Sequence, residues 1–279
     1  TGSMPGKRWT KKTEPEHQRS MTVEEILEEL RLYGDGTFPR KALEQAIHME
    51  DETTPELLRI LKEAAEHPED LSSDYMLHIY AMYLLAQFRE ERAYAVIVDF
   101  VSVPGELIMD LCGGTVTEDL GRILASVSGG DPSLMKSLVE DEEANEYVRA
   151  AALTGMVSLV VAGELSRKDL VDYVRQAFHL EDLRKESFVS SALVITALHL
   201  QAGELYEDIR EAYASDKVEP ESVSLDYVSL DYVSLDYVER RLSETREEVP
   251  RDTLEDSHHQ LVQDAVGEIA WWACFQGDR

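Results

Sequence analysis

Ser133 and Lys136, in the stretch SLMK, have the spacing of a catalytic pair. A serine followed three positions later by a lysine is the nucleophile pair of some acyl-transfer enzymes. Two of the four positions are free, so such a match arises easily, and the other motifs of those enzymes do not occur. The sequence also contains no glycine-rich dinucleotide loop, phosphate loop, HExxH motif or calcium-loop pattern. It therefore predicts no catalytic residue.

Histidines are the next candidates, because imidazole binds metals and transfers protons. His258 and His259 are adjacent, so on a helix they point about 100° apart and share a face poorly as metal ligands. A surface helix is the simpler interpretation. His78 and His199 lie among apolar residues, which favours hydrogen-bonded core side chains. None of the eight histidines precedes a glutamate, which excludes the His-Glu pairs of iron-binding helical-repeat enzymes. We expect no metal site and no cofactor.

The net charge restricts the class of partner. The 279 residues include 56 Asp and Glu against 27 Lys and Arg, a formal net charge of -29. Such a surface repels phosphate backbones, which disfavours DNA or RNA, and it attracts basic proteins. The same acidity also suits plain solubility or a salty cytoplasm, and this second interpretation stays open.

Cysteine usage and hydropathy indicate a cytoplasmic chain with no membrane partner. Cys112 and Cys274 are far apart and offer neither a disulfide framework nor zinc spacing. No secretory leader and no apolar run of membrane-spanning length occurs. Residues 1–20 are mostly polar and basic, and we interpret TGS ahead of Met4 as a cloning remnant. We expect a disordered basic arm there, followed by a single domain at 21–279.

Helical signals dominate the rest of the chain. Thr22 and Glu25 form a capping box ahead of a first helix, and Thr53 begins another by the same pattern. The stretch SSDYMLHIYAMYLLAQF at 72–88 is apolar nearly all round, which predicts a central helix with neighbours on both sides. AYAVIVDFV at 93–101 is rich in β-branched residues, but its helical neighbours favour a helix.

An internal repeat indicates the architecture. VRAAALTGMVSLVVAGEL at 148–165 and FVSSALVITALHLQAGEL at 188–205 match in apolar pattern, forty positions apart. This is the period of HEAT or armadillo helix pairs, which stack because one pair cannot bury its face alone. Gly163 and Gly203 then take the left-handed conformation at the turn inside each pair. The prediction is an all-α, right-handed α-solenoid of about five or six HEAT/armadillo-like pairs.

Long motifs along the chain resemble a bacterial family. They are YGDGTFPRKALEQAI at 33–47, TPELLRILKEAAEHPED at 54–70, DYMLHIYAMYLLAQFRE at 74–90, VTEDLGRILASVSGGD at 116–131, ANEYVRAAALTGMV at 144–157 and EIAWWACF at 268–275. On these residues the chain resembles the domain of unknown function 1186 family, a name that carries no activity. Many relatives continue into a cysteine-rich zinc-binding motif, but no CxC or CxxC pair exists here to hold zinc.

The stretch SLDYVSLDYVSLDYV at 224–238 repeats one pentad three times. On a helix each copy points about 140° away from the last, so identical residues never share a face. The first two copies, residues 224–233, are either a tolerated insertion at a loop or helix end, or an additional helix or partner site. In the second case Tyr227, Tyr232 and Tyr237 are candidate interaction residues.

Trp271 and Trp272 are the other candidate interaction residues. In the last predicted helix they point about 100° apart, so one can cap the terminal repeat while the other joins a contact surface. Cys274, two residues on, is interpreted as a buried thiol.

Three functions fit these patterns. Architecture and charge favour a non-catalytic, acidic helical-repeat scaffold for a protein partner with a basic or amphipathic segment. One alternative is a small-molecule-binding or lyase-like protein that uses a pocket between helices. The other is an acidic nucleic-acid mimic that competes with DNA for a basic protein.

Deletion of residues 224–233 tests the interpretation of the pentads. A tolerated insertion can be removed with a change of about 1 kcal/mol or less in the free energy of unfolding, because loop length contributes only logarithmically. We expect a single cooperative thermal transition, followed by circular dichroism. Loss of that cooperativity would show that the extra pentads belong to the fold.

Overall fold

The described part of the chain is helical. In the computed structural model it comprises residues 20–33, 36–180, 183, 187–218, 234–244 and 249–275. Within these ranges there is no strand, and the extended contacts are two isolated bridges, Leu32 with Tyr75 and Pro104 with Ala144. The all-α fold class is therefore confirmed.

The helices differ widely in length, from five to seventeen residues. In chain order they are α1 Val23–Leu30, α2 Arg40–His48, α3 Glu50–Glu66, α4 Leu77–Gln87, α5 Ala93–Val101, α6 Leu107–Cys112, α7 Gly114–Glu118, α8 Leu120–Val127, α9 Ser133–Glu140, α10 Glu146–Val161, α11 Arg167–His179, α12 Ser187–His199, α13 Tyr206–Ala214, α14 Leu235–Glu244, α15 Arg251–Glu255 and α16 Ala265–Ile269. Among the described residues, none of these helices is long and apolar enough to cross a membrane.

Several helix ends follow the sequence. Thr22 accepts the backbone N–H of Glu25, and the Glu25 side chain accepts that of Thr22, which completes the predicted capping box. Ser166 caps α11 by accepting the backbone N–H of Asp169. Gly163 has a φ of +74° just after α10, as the turn requires.

Two predicted positions are wrong. Thr53 does not begin a helix, because α3 starts at Glu50; its hydroxyl instead donates to the carbonyl oxygen of Ala46 at 3.1 Å. Gly203 does not provide the left-handed residue after α12. It begins a 3-10 turn, and Gln201 has the positive φ of +50°. At Thr53 a hydrogen bond to α2 replaces the expected cap, and at the end of α12 the left-handed residue lies two positions before Gly203.

The long helices pack in chain order. α4, α8, α10, α12 and α14 form a row in which each helix contacts the next, called here the inner row. Each of three further helices packs against one helix of this row: α3 against α4, α9 against α10, and α11 against α12. Residues 77–86 of α4 are all buried, which confirms the central helix that the sequence predicts. A helix buried all round needs cover on its second face as well.

Helices α8 and α10 approach each other backbone to backbone. A Cβ atom on Gly155 would lie 2.7 Å from the carbonyl oxygen of Gly121, and one on Gly121 would lie 2.6 Å from that of Ala151. Backbone atoms cannot move aside as a flexible side chain does. The spacing of α8 and α10 therefore depends on glycine at both positions.

Replacement of Gly155 by alanine should lower the free energy of unfolding by about 1–3 kcal/mol, because the added methyl group overpacks the contact. Urea denaturation measures this change. Gly203→Ala is the matched control, since the nearest atom to its Cβ position is 4.0 Å away. Equal stability of the two variants would contradict the close contact.

Candidate functional site

The second face of the inner row is covered by residues 256–275, called here the C-terminal segment. It consists of a 3-10 turn at Ser257–His259, an extended stretch, α16 and a second turn at Ala273–Phe275. The first turn contacts α10, and α16 contacts α4 and α2. The segment thus crosses the inner row in the direction opposite to the order of its helices.

Side chains of the inner row bind the backbone of this segment. Ser126 Oγ of α8 accepts the N–H of Val262 at 2.9 Å, and Gln87 Oε1 of α4 accepts the N–H of Ala265 at 2.8 Å. A buried extended chain outside a sheet has no neighbouring strand to pair these groups. Ser126 and Gln87 supply the missing acceptors.

Apolar side chains of the segment pack between the helices. Val262, Ala265 and Ile269 are fully buried, and Val266 is 6% exposed. Burial of a valine or isoleucine contributes about 1.5–3 kcal/mol relative to an exposed position. The segment is therefore held mainly by apolar contact, and its hydrogen bonds determine its register.

A buried ion cluster joins the segment to α8 and α4. The Arg122 guanidinium donates to Asp119 at 2.8 Å and to both carboxylate oxygens of Glu268 at 3.0 and 3.1 Å, while its Nε donates to the carbonyl oxygen of Gln260 at 2.6 Å. Tyr83 donates its hydroxyl to Asp119 at 2.6 Å. Burial alone would lower the pKa of Arg122, but Glu268 and Asp119 raise it above its ordinary value. Burial and the Asp119 charge raise the pKa of Tyr83.

These protonation states limit the chemistry of the cluster. Arg122 stays cationic and Tyr83 stays a neutral phenol, so neither is poised to transfer a proton near neutral pH. The hydrogen bonds of the guanidinium go to two carboxylates and one backbone carbonyl. The arrangement is suited to holding a polypeptide.

A pair of histidines lies where the segment meets α12. His259 contacts His199 edge to face, with ring centroids 4.5 Å apart. Burial lowers the pKa of His259 to about 4, and burial together with the neighbouring His259 lowers that of His199 to about 3. His259 is only 3% exposed, so the surface-helix interpretation is wrong for it.

His78 in α4 is the hydrogen-bonded core histidine that the sequence predicts. Its Nε2 atom lies 2.9 Å from the carbonyl oxygen of Leu111, and the side chain is fully buried. Burial lowers its pKa to about 4.

The family model described as protein of unknown function (DUF1186) matches residues 21–276. The chain belongs to this family. An uncharacterized protein of Chlamydia muridarum is 39% identical over 208 residues, which cover 74% of this chain and 83% of that protein. One of Chlamydia trachomatis serovar D is 38% identical over 209 residues, 74% of this chain and 82% of that protein. No solved structure matches. The matched range includes the whole C-terminal segment, so this segment is part of the family's domain.

Of the three predicted tyrosines, the structure describes Tyr237, which lies on α14 and away from the contact of Trp272 with Tyr83. Tyr227 and Tyr232 lie outside the described residues. Tyr237 is partly buried on α14, which packs on α12 and α13, and Arg240 lies over its ring at 5.3 Å.

Trp271 and Trp272 follow α16 and lie over the early helices. Trp272 is partly buried with its ring 5.8 Å from that of Tyr83, so it covers α4 and does not cap the terminal helix pair. Trp271 is 62% exposed. Tyr33 donates its hydroxyl to the carbonyl oxygen of Cys274 at 2.5 Å, and Cys274 itself is exposed, so the buried-thiol interpretation is wrong.

The SLMK pair has other partners. Ser133 donates its hydroxyl to Asp131 at 2.8 Å, and the Lys136 ammonium lies 5.0 Å above the ring of Tyr173. In the SxxK arrangement the lysine serves as the base for the serine, whereas here the Lys136 ammonium lies over Tyr173 and the Ser133 hydroxyl bonds Asp131.

Possible metal ligands occur together at one exposed place within the described residues. His67, Glu69 and Asp70 bring ligand atoms within 4.8 Å of one another at the turn after α3. All three side chains are exposed, and such groups occur commonly without a metal. His258 is exposed and pairs with Asp256, with Nδ1 3.0 Å from Oδ1.

Sequence reasoning missed Arg122 and Glu268. The available signal was a lone arginine inside the apolar stretch LGRILASV of α8, because a charged residue on a buried helix needs a partner. Nothing in the local pattern places that partner 146 positions away in α16.

Arg122→Met should lower the free energy of unfolding by about 3–5 kcal/mol, because it leaves Asp119 and Glu268 without their buried cation. Arg59→Met is the matched control: Arg59 pairs with Glu56 and Glu63 on an exposed face of α3, where loss of the pairs should cost about 1 kcal/mol or less. Urea denaturation compares the two. Similar losses would show that the cluster contributes no more than a surface pair.

Acid should weaken the fold. Because the pKa values of His78, His199 and His259 are below the ordinary value, the unfolded chain binds more protons than the folded chain between about pH 6.5 and about pH 4. Stability therefore falls as the pH falls, by up to about 1.4 kcal/mol per pH unit for each histidine. Urea denaturation between about pH 7 and about pH 5 measures the slope. His259→Gln should reduce it and His258→Gln should not; equal slopes would contradict the assignment.

Proposed function

We propose that the chain is a non-catalytic, acidic helical-repeat scaffold that binds a protein partner with a basic or amphipathic segment. The packing of α4, α8, α10 and α12 in chain order, each beside a partner helix, supports stacked HEAT-like helix pairs, and a right-handed solenoid built from such pairs is part of this proposal. Stacked pairs of this kind bury one continuous core and leave long surfaces for binding. A cytoplasmic location belongs to the same proposal and is supported by the two free cysteines.

The observation that carries the proposal is the way the inner row holds the C-terminal segment. Helical side chains bind the backbone N–H groups of Val262 and Ala265, and the apolar side chains of the segment lie between the helices. A surface that holds one polypeptide lengthwise has the chemistry of protein recognition. This observation supports recognition of a polypeptide, and the basic character of the partner rests on the exposed carboxylates described next.

Exposed carboxylates support a basic partner. The stretch DEEANEY at 141–147 contains no lysine or arginine, and Glu142 and Glu143 are exposed. Asn145 in the same stretch places Glu106 nearby, with Nδ2 3.4 Å from the Glu106 carboxylate. A basic segment is attracted to such a group of like charges.

The small-molecule alternative has weaker support. The cleft lined by Phe178, His179, Ser190 and Asp208 has about 10 Å³ of free volume, which suits a single water molecule. A metabolite of ordinary size needs a cavity of several hundred Å³.

Affinity capture on the full chain tests the scaffold function. We expect a basic protein to be retained from a bacterial lysate at about 0.1 M salt and released at about 1 M, because the screening length falls from about 10 Å to about 3 Å. Mass spectrometry identifies what is retained and released. Protein retention that is insensitive to salt, or a small molecule retained without any protein, would overturn the proposal.

Variants that remove negative charge test whether the captured protein binds at residues 141–147. The triple variant Glu142→Gln, Glu143→Gln and Glu146→Gln should lose the captured protein. A control with the same charge change at the end of α3 and in the turn after it, Glu63→Gln, Glu66→Gln and Glu69→Gln, should retain it. If added DNA displaces the protein, the nucleic-acid mimic replaces the scaffold as the function.

A further inference from the structure

We propose that the inner row is a binding groove for an acidic amphipathic segment of a partner protein, and that the C-terminal segment occupies this groove in cis until the partner displaces it. The inference rests on the proposed scaffold function. It concerns the inner row, whereas the acidic surface around 141–147 concerns a basic partner, so the two can fail separately.

The C-terminal segment has the character of a bound ligand. Its longest regular element is α16, with five residues, and a helix that short is not stable in water by itself. The flanking residues form single turns or extended chain, with Gln260 at φ -82° and ψ 142°. The conformation of the segment therefore comes from the groove.

The groove selects a polypeptide by its backbone. Ser126 and Gln87 accept N–H groups three residues apart, at Val262 and Ala265, and these contacts do not depend on side-chain identity. Any extended segment that enters a helical turn offers the same two donors. A free metabolite without a peptide backbone does not.

Charge then selects the side chain. Glu268 accepts from both terminal nitrogens of Arg122, and only Nη1 also donates to Asp119. An occupant without a carboxylate at this position would leave a buried cation only partly paired, which is unfavourable. Next to the carboxylate, the groove holds the fully buried Ile269. The occupant is therefore acidic and amphipathic.

Exposed apolar side chains flank the occupied groove. Trp271, near the end of the segment, is 62% exposed, and Leu254, just before its start, is 43% exposed. Tryptophan is enriched among the residues that dominate binding at protein interfaces, so Trp271 is the candidate contact for an arriving partner. Displacement of the C-terminal segment by a partner segment also keeps the apolar face of the inner row covered, because one segment takes the place of the other.

A peptide binding experiment tests the displacement. The probe is a fluorescent peptide with the sequence of residues 256–275, added to the full chain and to the full-chain variant Glu268→Gln with Ile269→Ala. The variant weakens only the cis segment and keeps the groove intact. We expect the probe to bind the variant at least about tenfold more tightly, because apparent affinity scales with the open fraction of the groove.

Two controls identify the groove. Arg122→Met in the weakened background should abolish the gain, and a probe that carries Glu268→Gln should bind at least about tenfold more weakly. If the double variant fails to fold, Ile269→Val offers a milder weakening, for which a smaller gain in probe affinity is expected.

Three results would overturn the proposal. Equal affinity of the probe for the wild-type chain and the weakened variants would place its binding site elsewhere. Concentration-dependent dimers of the variant would make a second copy of the chain the occupant. Loss of stability without any gain in probe binding would make the segment a permanent part of the core. The hydrogen bonds to Gln87, Ser126 and Arg122 that hold the segment lie outside residues 141–147, so the triple glutamine variant there should leave the affinity of the probe unchanged.

Discussion

The structure depends on one constraint: the inner helices are apolar on more than one face and must be covered on both. Residues 77–86 of α4 are all buried, and α10 combines a buried Leu153 with a buried Val157 and Leu159. The neighbouring helices α3, α9 and α11 cover part of this apolar surface. The C-terminal segment supplies the remaining cover, and its path follows the row because the apolar surface does.

Arg122 introduces polarity into this apolar contact. A buried cation costs desolvation free energy, and its two carboxylate partners offset that cost only in one geometry. Apolar contact is non-directional, so by itself it specifies the register of the segment along the row less strictly than a hydrogen-bonded ion pair does. The ion cluster fixes one register at the price of some stability, which is a known use of buried polar groups.

Local features of the fold were predictable from the sequence and long-range ones were not. The capping box at Thr22, the burial of α4 and the helix at 93–101 follow from spacing and composition within a few residues. The predictions for Thr53 and Gly203 were wrong. The Thr53 hydroxyl bonds the carbonyl oxygen of Ala46 and does not cap a helix, and Gln201 takes the left-handed conformation that was expected of Gly203. The burial of His259 and the exposure of Cys274 depend on where the C-terminal segment lies, and no periodicity encodes that path. For the candidate site, Trp272 was singled out for its type, while its contact with Tyr83 was not foreseeable.

The direction of the C-terminal segment has a consequence for protein synthesis. The hydrogen bond from Tyr33 to Cys274 joins residues 241 positions apart, and Glu268 reaches Arg122 across 146. The ribosome makes α4 and α8 long before it makes the residues that cover them. Contacts of such large sequence separation form slowly, and surfaces that wait for them are prone to aggregation. The nascent chain must therefore keep its earliest helices protected, by a chaperone or by transient packing, until residues 256–275 have been translated.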